Sequence, residues 1–236
     1  MKLPGFLVAM LAWRIWRAQA ASLVARICLA NAERSIDDTA RLSLLIGGLE
    51  RSGKSILADR LAQEHGMGHL RADLLRHFYY PLRDSTTRRA FRCAICHALL
   101  RRCPRGLIIE GDDLVYEDRS WRDFRGCLGG ELGVTESAAI ARAHGIPFVV
   151  VGSAACSGHD KAIGILQYRD SQECWTKKTM AGAEVQDYAE ALTARNRELQ
   201  DVCSRADVGW YEVDPVRFDA DIDRIGSALD EVLRAA

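Results

Sequence analysis

Residues 41–55 read Arg41-Leu-Ser-Leu-Leu-Ile-Gly-Gly-Leu-Glu-Arg-Ser-Gly-Lys-Ser55, and this stretch decides the fold. Its apolar run over residues 42–46 is long enough for a buried strand, and the pattern of residues 55–63 predicts a helix. Between the two lies the spacing Gly48-x-x-x-x-Gly53-Lys54-Ser55. A loop of this kind that leaves a strand and opens a helix is the setting in which the spacing binds phosphate.

The chemistry of phosphate binding explains the spacing of this Walker A loop. Without bulky side chains at Gly48 and Gly53, the loop turns its backbone N–H groups onto a phosphate, and the helix adds its positive N-terminal end. Lys54 is then expected to reach the β- and γ-phosphates of ATP, and Ser55 to offer its hydroxyl to Mg²⁺. The alternative is a Gly-Lys-Ser turn that binds nothing. The predicted nucleotide contacts are consecutive in the chain: Gly48, Leu49, Glu50, Arg51, Ser52, Gly53, Lys54, Ser55 and Ile56.

Length and composition allow one large domain with a sizeable core. The chain has 236 residues, of which 48% are hydrophobic, and its formal net charge is zero. Such a chain can fold around its own core, and its zero net charge provides no global field that would mark a nucleic-acid or membrane binder. We predict an N-terminal helix and linker over residues 1–40 and a nucleotide-binding domain over residues 41–236.

The first 32 residues contain no acid, and their apolar positions fall on one face of a helix. A helix over residues 6–28 fits a peripheral membrane contact, an organellar transit peptide or an extra helix packed on the domain. A transmembrane span does not fit, because it needs about 20 consecutive apolar residues. Secretion would separate an ATP-using enzyme from its ATP. We therefore expect a cytoplasmic protein, with an organellar or membrane-peripheral location as the alternative.

Eight cysteines lie at irregular spacings, and we expect free thiols because an ATP-using enzyme belongs in a reducing compartment. The run Cys93-Ala-Ile-Cys96-His97 matches the spacing of a haem attachment motif. Haem attachment needs an exported chain, and zinc would need further ligands that this region does not offer. We therefore expect these thiols to pack on a helix without binding a metal.

Acidic residues end the next two predicted strands. The run His69-Leu-Arg-Ala-Asp73 reads as a short second strand, and Leu107-Ile-Ile-Glu110 reads as the third. The carboxyl ends of parallel strands form the crevice in which open α/β sheets bind ligands. Asp73 would orient or accept a hydroxyl proton there, although an Asp before a helix also caps that helix. Glu110 is the candidate for holding Mg²⁺ through water or for receiving the acceptor.

Two regions are basic. Residues 71–105 contain nine arginines and no lysine, which favours an anionic acceptor, with Arg76, Arg83 and Arg92 as candidate ligands. Residues 153–180 include Lys161 and Arg169 and show no clear period, which predicts a mobile basic lid. The alternative for this second region is an exposed loop with scattered cations.

The rest of the chain alternates between helix and strand. Because the crossovers are longer than a dozen residues, the pattern predicts a parallel sheet covered by helices on both faces. The remaining predicted helices span residues 88–102, 135–144, 183–205 and 218–233, the remaining strands span residues 147–151 and 208–213, and residues 117–133 are predicted as helix and loop.

These motifs resemble those of the P-loop small-molecule kinases, a superfamily that includes adenylate, shikimate and uridine kinases and the zeta-toxin and chloramphenicol phosphotransferase group. The similarity covers residues 41–236 and rests on the Walker A loop, on Asp73-Leu-Leu-Arg76 and on Ile108-Ile-Glu-Gly111. It implies a three-layer P-loop NTPase fold with a five-stranded parallel sheet in the order 2-3-1-4-5, and ATP and Mg²⁺ as cofactors. It also implies that Asp73 orients or deprotonates the acceptor and that Arg76 clamps it.

The resemblance extends to a lid segment. Arg169-Asp170 and Trp175-Thr-Lys-Lys178 are similar to the lid of that group, which makes Arg169 a candidate catalytic residue beside Lys54 and Asp73. The run Glu110-Gly-Asp-Asp113 departs from the pattern, because relatives commonly carry an apolar residue after this glycine. The acceptor is therefore left open by the resemblance.

Three functions fit the sequence. The leading interpretation is phosphoryl transfer from Mg·ATP to a small, anionic acceptor that carries a hydroxyl or phosphate group. The second is a P-loop module or switch that binds or hydrolyses ATP without a small-molecule acceptor. The third is a nucleic-acid end kinase, because aromatic residues at 78–80 and 91 stand among the arginines and could stack on bases, although such aromatics more often belong to a core.

Overall fold

The apolar run of the opening stretch forms the central strand of an α/β fold. The structure is a computed structural model, and it describes residues 43–72, 85–103, 106–118, 130–171, 180 and 182–235. In chain order these residues form β1 (Ser43–Gly47), α1 (Lys54–His65), β2 (Gly68–Arg71), α2 (Ser85–Arg102), β3 (Leu107–Gly111), β4 (Tyr116–Asp118), β5 (Glu131–Leu132), α3 (Thr135–His144), β6 (Phe148–Gly152), α4 (Gly158–Ser171), α5 (Gly182–Arg205), β7 (Gly209–Glu212) and α6 (Phe218–Ala235). Two short 3-10 helices span Asp112–Val115 and Pro215–Arg217.

Five of these strands form one parallel sheet in the order β2-β3-β1-β6-β7. In the register of the sheet, Gly47 of β1 stands opposite Gly111 of β3, and Leu45 stands opposite Phe148 of β6. The five-stranded parallel sheet predicted from the sequence is confirmed. Its order reads 2-3-1-6-7 rather than 2-3-1-4-5 when all strands are counted, because two strands outside the sheet precede β6 in the chain.

Alternate residues of β1 face the two sides of the sheet, as the period of a strand requires. Leu44 and Ile46 pack with apolar residues of α1 and α6, whereas Leu45 packs with residues of α2 and α3. A third cluster joins Val150 of β6 to α4 and α5. All four of these side chains are fully buried, and each such burial stabilises the fold by about 1.5–3 kcal/mol. The predicted cover of helices on both faces is therefore confirmed.

An antiparallel pair, β4 and β5, was not predicted. Tyr116 pairs with Leu132 and Asp118 pairs with Glu131, so the prediction of helix and loop for residues 117–133 is wrong at both ends of that segment. The strands have three and two residues, which is too short for an alternating pattern to be visible in the sequence. Residues 119–129 lie outside the described residues.

A helix occupies the middle of the predicted lid. Gly158–Ser171 forms α4, so the alternative of an exposed loop is wrong for these residues, whereas the lid itself stays a prediction. Gly164 lowers the helix propensity of the segment, yet a Cβ at this position would lie only 2.7 Å from the Cβ of Pro215. Ala162 and Ile165 are buried in the cluster shared with α5. Tertiary packing thus forms a helix where the sequence shows no clear period.

Several predictions fall on residues that the structure does not describe. They include the N-terminal segment 1–40, the Asp73–Arg76 motif, Arg83 and residues 172–179 of the lid. Among the described residues, no helix combines the length and the hydropathy of a membrane span.

Candidate functional site

The loop between β1 and α1 has a backbone that requires glycine at two positions. At Gly48 the φ angle is +152°, and a Cβ there would lie 2.3 Å from the carbonyl oxygen of Val151. At Gly53 the φ angle is +86°, and a Cβ would lie 2.7 Å from Cδ1 of Ile222. The two glycines of the motif therefore allow the loop to lie against the end of β6 and against α6.

The N-terminus of α1 opens directly from this loop. The helix begins at Lys54, its first turn contains no acidic residue, and no side chain of the described residues caps it. Its first N–H groups lack partners within the helix, and the helix dipole gives them a partial positive charge. Lys54 is buried, and its Nζ donates a hydrogen bond to the carbonyl oxygen of Leu49 at 3.3 Å. This places an ammonium group inside the curve of the loop.

Ser55 in the first turn of α1 contacts Glu110 near the end of β3. The hydroxyl of Ser55 donates to Oε1 of Glu110 at 3.0 Å, although 55 residues separate them in the chain. Glu110 is 1% exposed, and its second carboxylate oxygen, Oε2, has no hydrogen-bond partner among the described residues. The buried hydroxyl of Ser52 likewise finds no partner there. Buried oxygens of this kind need a donor or a cation, which a bound ligand would supply.

Glu110 also lies near two basic groups that sequence reasoning missed. Its Oε1 lies 3.4 Å from Nε of Arg71 and 3.8 Å from Nε2 of His69. The Nδ1 of His69 lies 2.6 Å from Oδ1 of Asp59 on α1. The nearby carboxylate of Glu110, supported by that of Asp59, raises the pKa of His69 against the opposing effect of its burial. The register of β2 and β3 pairs Arg71 with Glu110, so an explicit alignment of these strands would have identified Arg71.

Lys161 of α4 reaches the same loop from the opposite side. Its Nζ donates to the carbonyl oxygen of Arg51 at 2.7 Å and to Oγ of Ser153 at 3.0 Å. The segment that follows β6 is itself anchored, because the N–H of Ser153 donates to Asn196 of α5 and the N–H of Ala155 donates to Glu212 of β7. Sequence reasoning placed Lys161 in a mobile lid, whereas it is buried at the phosphate loop.

Arg92, a candidate acceptor ligand, forms its contacts with other groups of the protein. Its guanidinium forms a salt bridge with Glu136 of α3 at 2.5 Å. It also donates to the carbonyl oxygens of Asp113 at 2.7 Å and Tyr116 at 2.9 Å. These bonds join α2 to α3 and to the segment after β3. The structure therefore gives Arg92 a structural role, because three of its five N–H donors are directed to acceptors of the protein.

The cysteine-histidine run of α2 forms no metal site with the described residues. Cys93 and Cys96 form no disulfide bond with the described residues, and no group of three or more His, Cys, Asp or Glu side chains in the described ranges could hold a metal ion. His97 instead contacts His144 of α3, with 2.7 Å between Nδ1 and Nε2. Burial lowers the pKa of both imidazoles, and it lowers the pKa of His144 to about 4.

The predicted site residues thus divide into two groups. The structure brings together the phosphate loop, Lys54, Ser55 and Glu110 at the carboxyl ends of β1 and β3. Asp73 and Arg76 lie outside the described residues, and so does the side chain of Arg169, although its backbone lies in α4. The roles of these last three residues stay predictions.

Comparisons with known proteins find resemblance only among solved structures. No protein-family model matches the chain, and no curated protein matches it. The YorR protein of Bacillus subtilis, solved in complex with phosphorylated GDP, is 14% identical over 81% of this chain and 95% of its own, with a TM-score of 0.48. A protein of Chloroflexus aurantiacus that is provisionally named a kinase is 16% identical over 84% of this chain and 98% of its own, with a TM-score of 0.41. At such identities and scores, no shared activity follows from either likeness.

Proposed function

We propose that this protein is a P-loop kinase that transfers a phosphoryl group from Mg·ATP to a small, anionic acceptor. One observation carries the proposal: the loop from Gly48 to Gly53 ends at an uncapped helix N-terminus, with the buried Lys54 beside it. Backbone N–H groups, a helix dipole and one ammonium group converge there, as binding of a triphosphate tail requires. The hydrogen bond from Ser55 to Glu110 supports the assignment, since it joins a hydroxyl and a carboxylate at the end of the loop where the phosphates would bind.

The residues present fit a magnesium ion. Mg²⁺ prefers oxygen ligands and keeps several of its waters, so it binds through one or two protein groups and the phosphates of the nucleotide. Ser55 and Glu110 would hold it, because Oε2 of Glu110 is a buried carboxylate oxygen without a hydrogen-bond partner in the described part of the chain. The ion would neutralise charge on the phosphates during transfer. The ammonium group of Lys54, beside the phosphate loop, would also neutralise charge on the phosphates.

We place the acceptor over the carboxyl ends of β2 and β3. Arg71 and Glu110 stand opposite each other there, and the side chain of Arg71 is 57% exposed. An exposed guanidinium can grip a phosphate or carboxylate with two hydrogen bonds. Asp73 would follow directly on the chain and orient the hydroxyl that attacks, with Arg76 as a second clamp. Arg169 would supply positive charge from α4 to the phosphoryl group in transit.

Substitution of Lys54 tests the nucleotide site. Lys54→Ala removes one charge-assisted hydrogen bond to phosphate, which is worth about 1.5–3 kcal/mol, so affinity for Mg·ATP should fall about 10- to 100-fold. Gln63→Ala changes an exposed residue near the other end of the same helix and serves as the control. Isothermal titration with Mg·ATP and Mg·GTP measures the affinities. Equal affinity in the wild type and Lys54→Ala would refute the proposal.

A second measurement separates a kinase from a switch. The wild-type protein is mixed with Mg·ATP and with phosphorylated sugars, nucleosides, hydroxy acids or short oligonucleotides, and release of ADP is followed. Stimulation by one class of small anion is the expected result. Stimulation by oligonucleotide ends alone would favour the nucleic-acid end kinase. Slow hydrolysis that no acceptor stimulates would favour the switch.

A further inference from the structure

Lys161 is a buried cation that joins three segments of the fold. It lies in α4, and 3% of it is exposed to solvent. Its Nζ donates to the carbonyl oxygen of Arg51 in the phosphate loop and to Oγ of Ser153 in the segment after β6. The two distances, 2.7 Å and 3.0 Å, are those of well-formed hydrogen bonds.

Stability alone does not account for a lysine at this position. Removal of an ammonium group from water costs several kcal/mol, and an apolar side chain of similar volume is often neutral or stabilising at such a position. Both bonds of Lys161 go to uncharged oxygens, so no carboxylate in the described part of the chain offsets that cost through a direct contact. Burial accordingly lowers the pKa of Lys161 to about 8.

The hydrogen bond to the carbonyl oxygen of Arg51 indicates the role of Lys161. Arg51 has a φ angle of +61°, a conformation that residues other than glycine seldom adopt, so the loop needs support from outside at this point. A trans peptide group is planar, with its C=O and N–H pointing in opposite directions. The carbonyl of Arg51 and the N–H of Ser52 belong to the same peptide group. Because the ammonium group of Lys161 holds the carbonyl toward α4, the N–H of Ser52 points away from α4.

We propose that Lys161 is a positioning residue of the phosphate loop, and that it holds the peptide between Arg51 and Ser52 in the orientation that binds the triphosphate. The inference rests on the proposed function, because it assigns a role in that same site. Lys161 acts through the backbone and lies outside direct contact with the acceptor. Its bond to Arg51 ties the loop to α4, the helix in the middle of the predicted lid, and its bond to Ser153 ties α4 to the segment after β6.

The charges around Lys161 couple it to the nucleotide. Lys54 and Arg51 face it from α1 and the phosphate loop and favour its neutral form, whereas Glu212 of β7 and Cys156 favour the charged form. A bound triphosphate adds several negative charges on the side of Lys54 and Arg51, which raises the pKa of Lys161. Above pH 8 the protein should therefore take up a proton when it binds the nucleotide, and its affinity should fall as pH rises.

Lys161→Met tests the inference, with Gln167→Ala as the matched control. Methionine fills the volume without charge, so the thermal midpoint should stay within about 4 °C of the wild type, while affinity for Mg·ATP falls about tenfold. Gln167→Ala changes an exposed residue of the same helix and leaves both bonds of Lys161 intact, so its affinity should match the wild type. Isothermal titration at pH 8.5 in buffers of different ionisation enthalpy measures proton uptake, which the wild type and Gln167→Ala should show and Lys161→Met should lack.

The outcomes are separable. Wild-type affinity and proton uptake in a folded Lys161→Met protein would overturn the positioning role and leave the proposed function intact. Failure of the wild type to bind Mg·ATP or Mg·GTP would instead overturn the proposed function. If Lys161→Met does not fold, Ser153→Ala decides the question, because it removes one of the two acceptors of the ammonium. A few-fold loss of affinity would support the role, and an unchanged affinity would refute it.

Discussion

Gly48 offers a sharp test of the phosphate loop, because its backbone conformation and its surroundings both exclude a side chain. In Gly48→Ala the new Cβ would lie 2.3 Å from the carbonyl oxygen of Val151, a backbone atom of β6 that cannot rotate away. The φ angle of +152° adds conformational strain. Strain of about 1–3 kcal/mol and overpacking of about 1–3 kcal/mol together predict a loss of about 2–6 kcal/mol in the free energy of unfolding.

A matched control isolates the steric term. Gly66 ends α1 with a φ angle of +64°, and a Cβ there would meet nothing within 4 Å. Gly66→Ala should therefore lower the free energy of unfolding by only about 1–2 kcal/mol, because the left-handed conformation is unfavourable for alanine. Urea unfolding measures both variants, and titration with Mg·ATP under folded conditions should show at least a tenfold loss for Gly48→Ala alone. Equal destabilisation of the two variants, or full nucleotide affinity in Gly48→Ala, would refute the close packing of the loop on β6.

Two further predictions concern the contact between α2 and α3. Arg92→Ala should destabilise the fold by about 2–4 kcal/mol, because it removes a buried guanidinium that donates to a carboxylate and two carbonyl oxygens. The double variant with Glu136→Ala should recover part of this loss, and additive losses in urea unfolding would contradict the pairing. His144 has a pKa of about 4 in the fold against about 6.5 when unfolded, so the unfolded chain binds more protons between these values. The contribution of His144 to the free energy of unfolding should then be fully present above pH 6.5. It should fall by about 1–2 kcal/mol as the pH drops to 4, after allowance for solvent screening. His144→Gln should flatten this part of the profile, and an unchanged slope would show that His97 and His144 do not share their contact in solution.

The elements that the sequence predicted well are those whose signals are local. The strand before Gly48 and the helix after Gly53 follow from an apolar run, a glycine spacing and a helical period that are contiguous over residues 42–63. Helix α3 follows in the same way, because Gly145 adopts the left-handed conformation that ends it at His144. The parallel sheet then follows from the lengths of the crossovers. None of these inferences needs knowledge of a distant contact.

The elements that the sequence missed depend on partners far along the chain. Helix α4 contains Gly164, which reads as a helix breaker until Pro215 is known to lie against it. Strands β4 and β5 have only three and two residues, and each forms a strand because it pairs with the other. A local pattern carries no information about such partners, so a propensity argument fails at these positions.

The candidate site shows the same division in chemical terms. Sequence reasoning placed Ser55 and Glu110 near each other because the topology brings the ends of adjacent strands together, whatever the side chains are. It counted Arg92 among candidate acceptor ligands because a guanidinium can grip an anion, and Lys161 among lid cations because its segment shows no clear period. Their partners, Glu136 for one and the carbonyl of Arg51 for the other, are set by packing between helices. A cation in a sequence therefore predicts a charge, and only its burial and its acceptors decide whether that charge binds a ligand, joins two helices or holds a loop in position.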